Sequence, residues 1–226
     1  MLGDALSFLT TIPVRGDVEV LRRNLWMFPY AAIVIGLVTA IPAIVYRYAG
    51  LDIRFLAVAF YVAIEGINHI DGLADFGDAL FAPESRKMGA LKDLNTGTGG
   101  VVTLAIYFIL LFHILARAEF VEIVFSQVVA KYSMILIMFA SKPSWEGMAS
   151  YMMEFTSLRD VAAGAIPLIA LSYFTGIKSV YALFFAFVAV FLLKRYSEAK
   201  FGGINGDVIG AANCITFVLS LITLEF

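Results

Sequence analysis

The sequence MFPYAAIVIGLVTAIPAIVY, residues 27–46, carries no charged side chain. A helix of this length is about 30 Å long, which is the thickness of the hydrocarbon core of a bilayer. The stretch therefore predicts a transmembrane helix. Pro42 lies inside it and is expected to bend it, because proline removes a backbone hydrogen bond.

The whole chain has the composition of a membrane protein. Of its 226 residues, 61% are hydrophobic and 15% are charged, and the mean hydropathy is +0.89. A soluble domain is about half apolar and about a quarter charged. The net charge of −2 offers no basic face for nucleic acid, and one cysteine with two histidines leaves too few soft ligands for a zinc site. We expect an all-α, multi-pass integral membrane helical bundle that forms a single domain over residues 1–226.

Apolar runs predict about seven spans. Residues 1–26 mix apolar and basic positions and are expected to lie on the membrane surface as an interfacial segment. A second span starts at residue 55 and has to continue through Asn68 toward Asp71 to be long enough. Further spans are expected at 99–116, 120–140 and 208–224, with a helical hairpin over 161–193 that turns near residues 176–179.

Basic residues predict the orientation. With seven spans and a cytoplasmic N-terminus, most Lys and Arg residues lie on the cytoplasmic side, as positively charged loops usually do. The same topology places two polar, glycine-rich stretches, residues 65–100 and 201–211, on that side. We therefore expect one active site, built from both stretches, at the cytoplasmic face of the cell membrane.

The first stretch carries acids at helical spacing. Asp71, Asp75 and Asp78 follow at i, i+4 and i+7, so they share one helix face, and Asn68 extends that face upstream. Carboxylates crowded on one face repel each other and need a cation. Oxygen ligands of this kind suit Mg²⁺, with Mn²⁺ as an alternative. A solvated helix face or a helix cap is the simpler interpretation.

The second half of the same stretch resembles an anion site. After Lys92 and Asp93, the backbone N–H groups at the start of the next helix can bind phosphate. Arg86 and Lys92 can neutralise further phosphate charge. Acids for a metal beside such a cradle fit phosphoryl transfer. The residues of the predicted cradle are Asn95, Thr96, Gly97, Gly99 and Gly100.

Other candidates are open to two interpretations. His69 lies about 200° around the helix from Asp71, which points it away from the acids, yet it can still contact substrate. Lys131 interrupts the fourth span and either extends to the interface or faces substrate. In the second stretch, Gly202 and Gly203 precede Asp207, which is expected to cap the last helix. The spacing leaves open whether Asp207 also binds substrate.

Four motifs in order resemble the cobalamin synthase family, whose members are adenosylcobinamide-GDP ribazoletransferases. HIDGLADFGD at 69–78 resembles its HxDGLADxxD motif, and residues 92–100 resemble its KDxxxGxxG element. FLTTIP at 8–13 and GGINGDVIGA at 202–211 match its opening and its C-terminal motif. Two departures occur: Leu94 and Asn95 replace a Ser-Arg pair, which puts one basic phosphate contact in doubt, and Gly66-Ile67 replaces a pair of glycines.

The resemblance implies a Mg²⁺-dependent enzyme that forms the nucleotide loop of cobalamin. α-Ribazole, or its 5′-phosphate, would attack the cobinamide-linked phosphate of adenosylcobinamide-GDP, and GMP would leave. Asp71, Asp75, Asp78 and Asp93 would hold the metal, with Asp78 or Asp93 as the catalytic base. Expected partners are these small molecules and membrane lipid, with a second copy of the chain or other enzymes of the pathway as further candidates.

Two alternatives remain. A CDP-alcohol phosphotransferase also has spaced aspartates at helix ends, but its DxxDGxxAR motif needs arginine where this chain has Asp75. A divalent-cation transporter would need acids that continue through the membrane, whereas here they are concentrated at one end.

Overall fold

The computed structural model describes residues 1–93 and 95–226 and confirms the prediction of an all-α fold. Within these residues, β-type pairing is limited to an isolated bridge between Pro143 and Ile204. In chain order the helices are α1 (Leu2–Leu9), α2 (Val18–Arg22), α3 (Phe28–Thr39), α4 (Ile41–Ala49), α5 (Ala57–Glu65), α6 (Asn68–Phe81), α7 (Lys87–Leu91), α8 (Thr98–Leu115), α9 (Phe120–Met138), α10 (Met148–Met153), α11 (Leu158–Gly164), α12 (Ile166–Thr175), α13 (Lys178–Phe201) and α14 (Gly206–Glu225).

The helices confirm a multi-pass membrane protein. In the described part of the chain, five helical segments are long and apolar enough to cross a bilayer, and two bent helix pairs raise the number to seven if each pair is one span. The predicted spans at 99–116 and 120–140 correspond to α8 and α9. The predicted turn near residues 176–179 is also present, because α12 ends at Thr175 and α13 begins at Lys178.

The first predicted span is bent by 49° between α3 and α4. The break lies at Ala40, and Pro42 occupies the first turn of α4. Proline is tolerated there because the N–H groups of a first turn have no intrahelical acceptor. The expected bend is therefore present, two residues before the proline.

The second predicted span is not continuous, and the expectation of a helix through Asn68 was wrong. α5 ends at Glu65, and α6 starts at Asn68 after a bend of 98°. Gly66 adopts φ +76°, which glycine reaches without steric cost. Thr11 completes the break, because its N–H donates to the Ile64 carbonyl at 2.8 Å and its hydroxyl donates to the Ala63 carbonyl at 2.5 Å. As a result, the predicted acids are on a separate helix that turns away from α5.

α9 and α14 form the centre of the bundle. In each of them, 72% of the residues of an 18-residue apolar stretch are buried. The corresponding shares are 28% in α8 and 22% in α13, which expose large apolar side chains. Such an exposed apolar surface is expected where a helix faces lipid. α3, α6 and α13 pack around the two central helices.

Small residues bring α6 against α14. A Cβ on Gly72 would lie 2.9 Å from the Asp207 Cα, and a Cβ on Gly210 would lie 3.1 Å from the His69 carbonyl oxygen. Only a residue without a side chain allows backbones this close. The contact brings the acidic helix to the start of α14.

Candidate active site

Five aspartates from two distant parts of the sequence meet at the end of the bundle. Asp71 is exposed and Asp75 is half-buried on α6, while Asp207 is half-buried on the first turn of α14. The carboxylates of Asp207, Asp71, Asp78 and Asp93 all repel the carboxylate of Asp75, and Asp71 also repels Asp207. The structure thus brings the stretches 65–100 and 201–211 together.

Asp78 has a separate task within this group. Its Oδ2 accepts the N–H of Gly97 at 2.6 Å, and its Oδ1 accepts the N–H of Gly100 at 2.8 Å. The anion at the N-terminus of α8 is therefore a side chain of the protein itself, stabilised by the helix dipole. This differs from the sequence-based interpretation, in which the same N–H groups bind a phosphate and Asp78 is free to act as a base.

The glycines of the predicted cradle fit around that contact. A Cβ on Gly97 would lie 2.6 Å from Asp78 Oδ1, and one on Gly100 would lie 2.7 Å from Asp78 Oδ2. A Cβ on Gly99 would lie 2.9 Å from the Gly77 carbonyl oxygen. These three positions need glycine because α6 and the start of α8 approach so closely.

A polar cleft of about 720 Å³ opens beside the N-terminus of α8. Arg86 brings a positive charge to it, and Asp93 and Asn95 line it as well. Asn95 donates to Asp93 Oδ1 from both its backbone and its side chain, at 3.0 Å each. Leu94, one of the two departures from the family motif, lies outside the described residues. The cleft has the charged, hydrogen-bonding lining that a phosphorylated substrate requires.

Two predicted contacts lie elsewhere. The Lys92 ammonium is over the Trp145 ring, 4.4 Å from its centroid, and Lys92 is not among the residues that line the cleft. Thr96 is exposed, and its methyl group would lie 2.9 Å from a Cβ on Gly100. Of the two basic residues predicted to contact phosphate, Arg86 and Lys92, Arg86 is therefore the better placed.

A second cavity, of about 340 Å³, lies at the N-terminal end of α6, whereas the polar cleft lies at the C-terminal end of this helix. Asn68, His69, Gly206 and Asp207 form its polar end. Its remaining walls are mainly apolar and come from α1, α3, α9 and α10: Phe8, Phe28, Met134, Met138, Met148 and Met152.

His69 belongs to a buried polar network. Its Nδ1 lies 2.8 Å from Glu65 Oε1, which also accepts from Lys131 Nζ at 2.7 Å and from Asn213 Nδ2 at 2.8 Å. Gln127 Oε1 accepts a further bond from Lys131 at 3.2 Å. Lys131 is fully buried, so it neither extends to the interface nor lines either cavity. In this structure it acts behind the site, where it compensates the charge of Glu65.

The glycine-rich stretch before α14 is mainly structural. Gly202 has φ +74° at the end of α13, and a Cβ on Gly203 would collide with the backbone of Lys142 and Pro143. Asn205, not Asp207, caps α14, because its Oδ1 accepts the N–H of Val208 at 2.9 Å. The capping interpretation of Asp207 was therefore wrong, and its carboxylate faces the site.

Sequence reasoning missed Glu65, Asn213 and Asn205. A signal existed for the first, because Glu65 and Lys131 are opposite charges inside two apolar runs, and such residues usually pair with each other. The sequence does not show how the helices that carry these two residues are positioned relative to each other. The pairing of Glu65 with Lys131 could therefore be recognised only from the structure.

The acidic residues of the site are suited to a Mg²⁺ ion whose coordination sphere would be completed by substrate. Among residues 1–93 and 95–226, no group of three or more His, Cys, Asp or Glu side chains is arranged to hold a metal by itself. Mg²⁺ usually takes only one or two carboxylates and fills its other positions with water and substrate phosphates. Asp71, Asp75 and Asp207 supply hard oxygen ligands, and a divalent cation would relieve the repulsion between them.

Fold and site together define a polytopic helical membrane protein with an acidic site at a broken helix. A profile of the cobalamin-5-phosphate synthase family matches residues 2–225. The chain therefore belongs to this family.

Its relatives extend over the whole chain. Two proteins of Archaeoglobus fulgidus named adenosylcobinamide-GDP ribazoletransferase are 59% identical over 97% of this chain and 94% of the relative, and 53% identical over 100% and 97%. A protein of the same name from Pyrococcus abyssi is 36% identical over 100% of this chain and 97% of its own length. No solved structure matches the chain.

Proposed function

We propose that this protein is an adenosylcobinamide-GDP ribazoletransferase. The observation that carries the proposal is the meeting of the acidic face of α6 with Asp207 of α14, next to the polar cleft that Arg86 lines. Family membership over residues 2–225 and the names of the full-length relatives support it.

The reaction joins two small molecules. A ribose hydroxyl of α-ribazole, or of its 5′-phosphate, attacks the phosphate that is linked to cobinamide, and the bond from that phosphate to GMP breaks. Arg86 neutralises the nucleotide phosphates in the polar cleft. Of the two bases that the sequence suggests, Asp93 remains a candidate to accept the hydroxyl proton, because Asp78 is held by the start of α8. Asp207 is the alternative base.

Asp71, Asp75 and Asp207 would hold the Mg²⁺ ion, with Mn²⁺ as a substitute. When bound, the ion would neutralise charge on the transferred phosphate. This set differs from the sequence-based set in two respects. Asp207 replaces Asp78, whose two oxygens bind backbone N–H groups, and Asp93 is assigned to proton transfer instead of metal binding.

The protein is proposed to act in the cell membrane with its site at the cytoplasmic face, where the distribution of basic residues favours placing it. Lipid contacts its exposed apolar helices. Association with a second copy or with other enzymes of the pathway would keep a large substrate near the membrane.

The direct test is turnover of adenosylcobinamide-GDP with α-ribazole by the purified protein, in Mg²⁺ and then in EDTA. The expected result is Mg²⁺-dependent release of GMP with formation of the coupled corrinoid. Asp75→Asn should lower turnover by about 10²-fold or more, since charge stabilisation at a transition state is worth this much.

Other outcomes would redirect the assignment. Consumption of a CDP-alcohol without GMP release would indicate the CDP-alcohol phosphotransferase and overturn the proposed substrate. Mg²⁺ binding without turnover of either substrate, together with ion flux in proteoliposomes, would indicate the transporter.

A further inference from the structure

The cavity at the N-terminal end of α6 has an unusual lining for a site that shares Asp207 with the acidic group. Phe8 and Phe28 contribute aromatic walls, and their rings lie 6.0 Å apart in a stacked arrangement. Met134, Met138 and Met152 contribute thioethers and are almost fully buried. Methionine adapts to the shape of a ligand and makes favourable contacts with aromatic rings.

Its size excludes most of the donor substrate. Ligand pockets span about 300–1,000 Å³, and this cavity of about 340 Å³ is near the lower limit. It can hold one small molecule or one ring system, whereas a corrinoid nucleotide is far larger.

Its charge excludes the nucleotide end of that substrate. Arginine and lysine are absent from the described residues that line the cavity, and Asp207 contributes a negative charge. A pyrophosphate would therefore find no cation here, whereas Arg86 offers one in the polar cleft, beside Asp78 and Asp93.

The cavity is also connected to the acids. Asn68 is one turn before Asp71 on α6, and Asp207 belongs both to the cavity wall and to the acidic group. A molecule with an aromatic ring among the methionines and hydroxyls at the polar end would present those hydroxyls to the reacting phosphate.

Resting on the function proposed above, we infer that this cavity is the acceptor subsite: it holds the planar aromatic base of the acceptor nucleoside between Phe8, Phe28 and the methionines. The ribose lies at the polar end, where Asn68 and His69 offer hydrogen bonds and Asp207, the alternative base, can accept the hydroxyl proton. The two substrates thus approach the acids from opposite ends of α6. Met134, Met138 and Met152 determine the affinity for the acceptor and do not contact the donor.

The test compares two neighbouring methionines of α10. Met152 and Met153 are both buried, with 3% and 9% of their surface exposed, but only Met152 lines the cavity. Met152→Ala should raise the KM for α-ribazole roughly tenfold, because shortening a side chain in an apolar pocket has effects of this size. The KM for adenosylcobinamide-GDP should not change. Met153→Ala is the matched control, expected to leave both KM values unchanged.

Binding is measured separately by equilibrium dialysis of α-ribazole alone against the intact detergent-purified protein in EDTA. Met152→Ala should weaken this binding by a similar factor, and Met153→Ala should not. If Met152→Ala does not fold, Met138→Ala on the opposite wall takes its place.

The two proposals can fail separately. GMP release by the unmodified protein, together with equal α-ribazole KM values in the Met152→Ala and Met153→Ala variants, would overturn the subsite and leave the function intact. A rise in the donor KM alone would also overturn it. Absence of GMP release by the unmodified protein would overturn both.

Discussion

The buried pair of Glu65 and Lys131 gives the sharpest prediction for stability. Both side chains are almost completely buried, at 1% and 0% exposure, and their charged atoms are 2.7 Å apart. Lys131→Met would remove the ammonium that compensates the Glu65 carboxylate and leave it His69 and Asn213 as partners inside the bundle. Removing one partner of a buried pair costs about 3–5 kcal/mol, because the remaining charge stays out of water.

The assay is thermal unfolding of the purified protein in detergent. For a chain of this size, about 2–4 °C of melting temperature corresponds to 1 kcal/mol, so Lys131→Met should lower it by about 6–20 °C. The double variant Glu65→Gln with Lys131→Met removes both charges and should recover most of the loss.

An exposed pair supplies the control. Lys200 and Glu84 are also in contact, at 2.5 Å, but are 34% and 67% exposed. Lys200→Met should cost at most about 1 kcal/mol, as surface ion pairs do. If Lys131→Met and Lys200→Met lower the melting temperature equally, or if the double variant is as unstable as Lys131→Met, the reasoning about the buried pair is refuted.

Three further predictions concern the site and the surface. Asp78→Asn should destabilise the fold by about 0.5–2 kcal/mol, because the N-terminus of α8 loses its cap. Calorimetric titration should find that the variant binds Mg²⁺ with nearly the affinity of the unmodified protein. A large loss of affinity would instead show that Asp78 is a metal ligand. Gly72→Ala should lower turnover by up to about 10²-fold, because the new Cβ would press on the Asp207 backbone. Gly89 has open space around it, so Gly89→Ala is the control and should have normal turnover in the same GMP assay. The hydrogen bond from Arg22 lowers the pKa of Glu19 to about 2. The stabilisation from Glu19 should therefore be complete above about pH 4.5 and disappear as the pH falls through about 2. The melting temperatures of the unmodified protein and of Glu19→Gln should converge over that pH range, and a difference that stays constant would contradict the prediction.

The membrane fold could be predicted because it depends on long apolar runs. The run that became α8 contains no Asp, Glu, Lys or Arg, so its length alone indicates a span. The bend at Gly66 was not predicted, since a glycine in such a run is compatible with a continuous helix. What decides it is Thr11, which is far away in the sequence and binds the carbonyls at the end of α5.

The acids of the site could be predicted as a group, but not their separate tasks. Helical spacing gives Asp71, Asp75 and Asp78 the same face and the same expected chemistry. Only the packing of α8 against α6 reveals that Asp78 binds the N–H groups of Gly97 and Gly100. The role of Asp207 could not be assigned either. Whether Asp207 caps α14 depends on the geometry of Asn205, which turned out to be the capping residue.

The separate tasks of the acids also favour transfer chemistry over ion transport. Asp71, Asp75 and Asp207 repel one another at the end of the bundle, so a cation gains most by staying there with a phosphate. Behind them, His69 contacts Glu65, and the charge of Glu65 is already compensated by the buried ammonium of Lys131. A cation that moved on past His69 would meet that ammonium and would have to break a buried pair, at a cost of about 3–5 kcal/mol. A divalent ion bound as proposed would therefore stay at the entrance, where two substrates could meet it, and the buried pair would oppose its passage into the bundle.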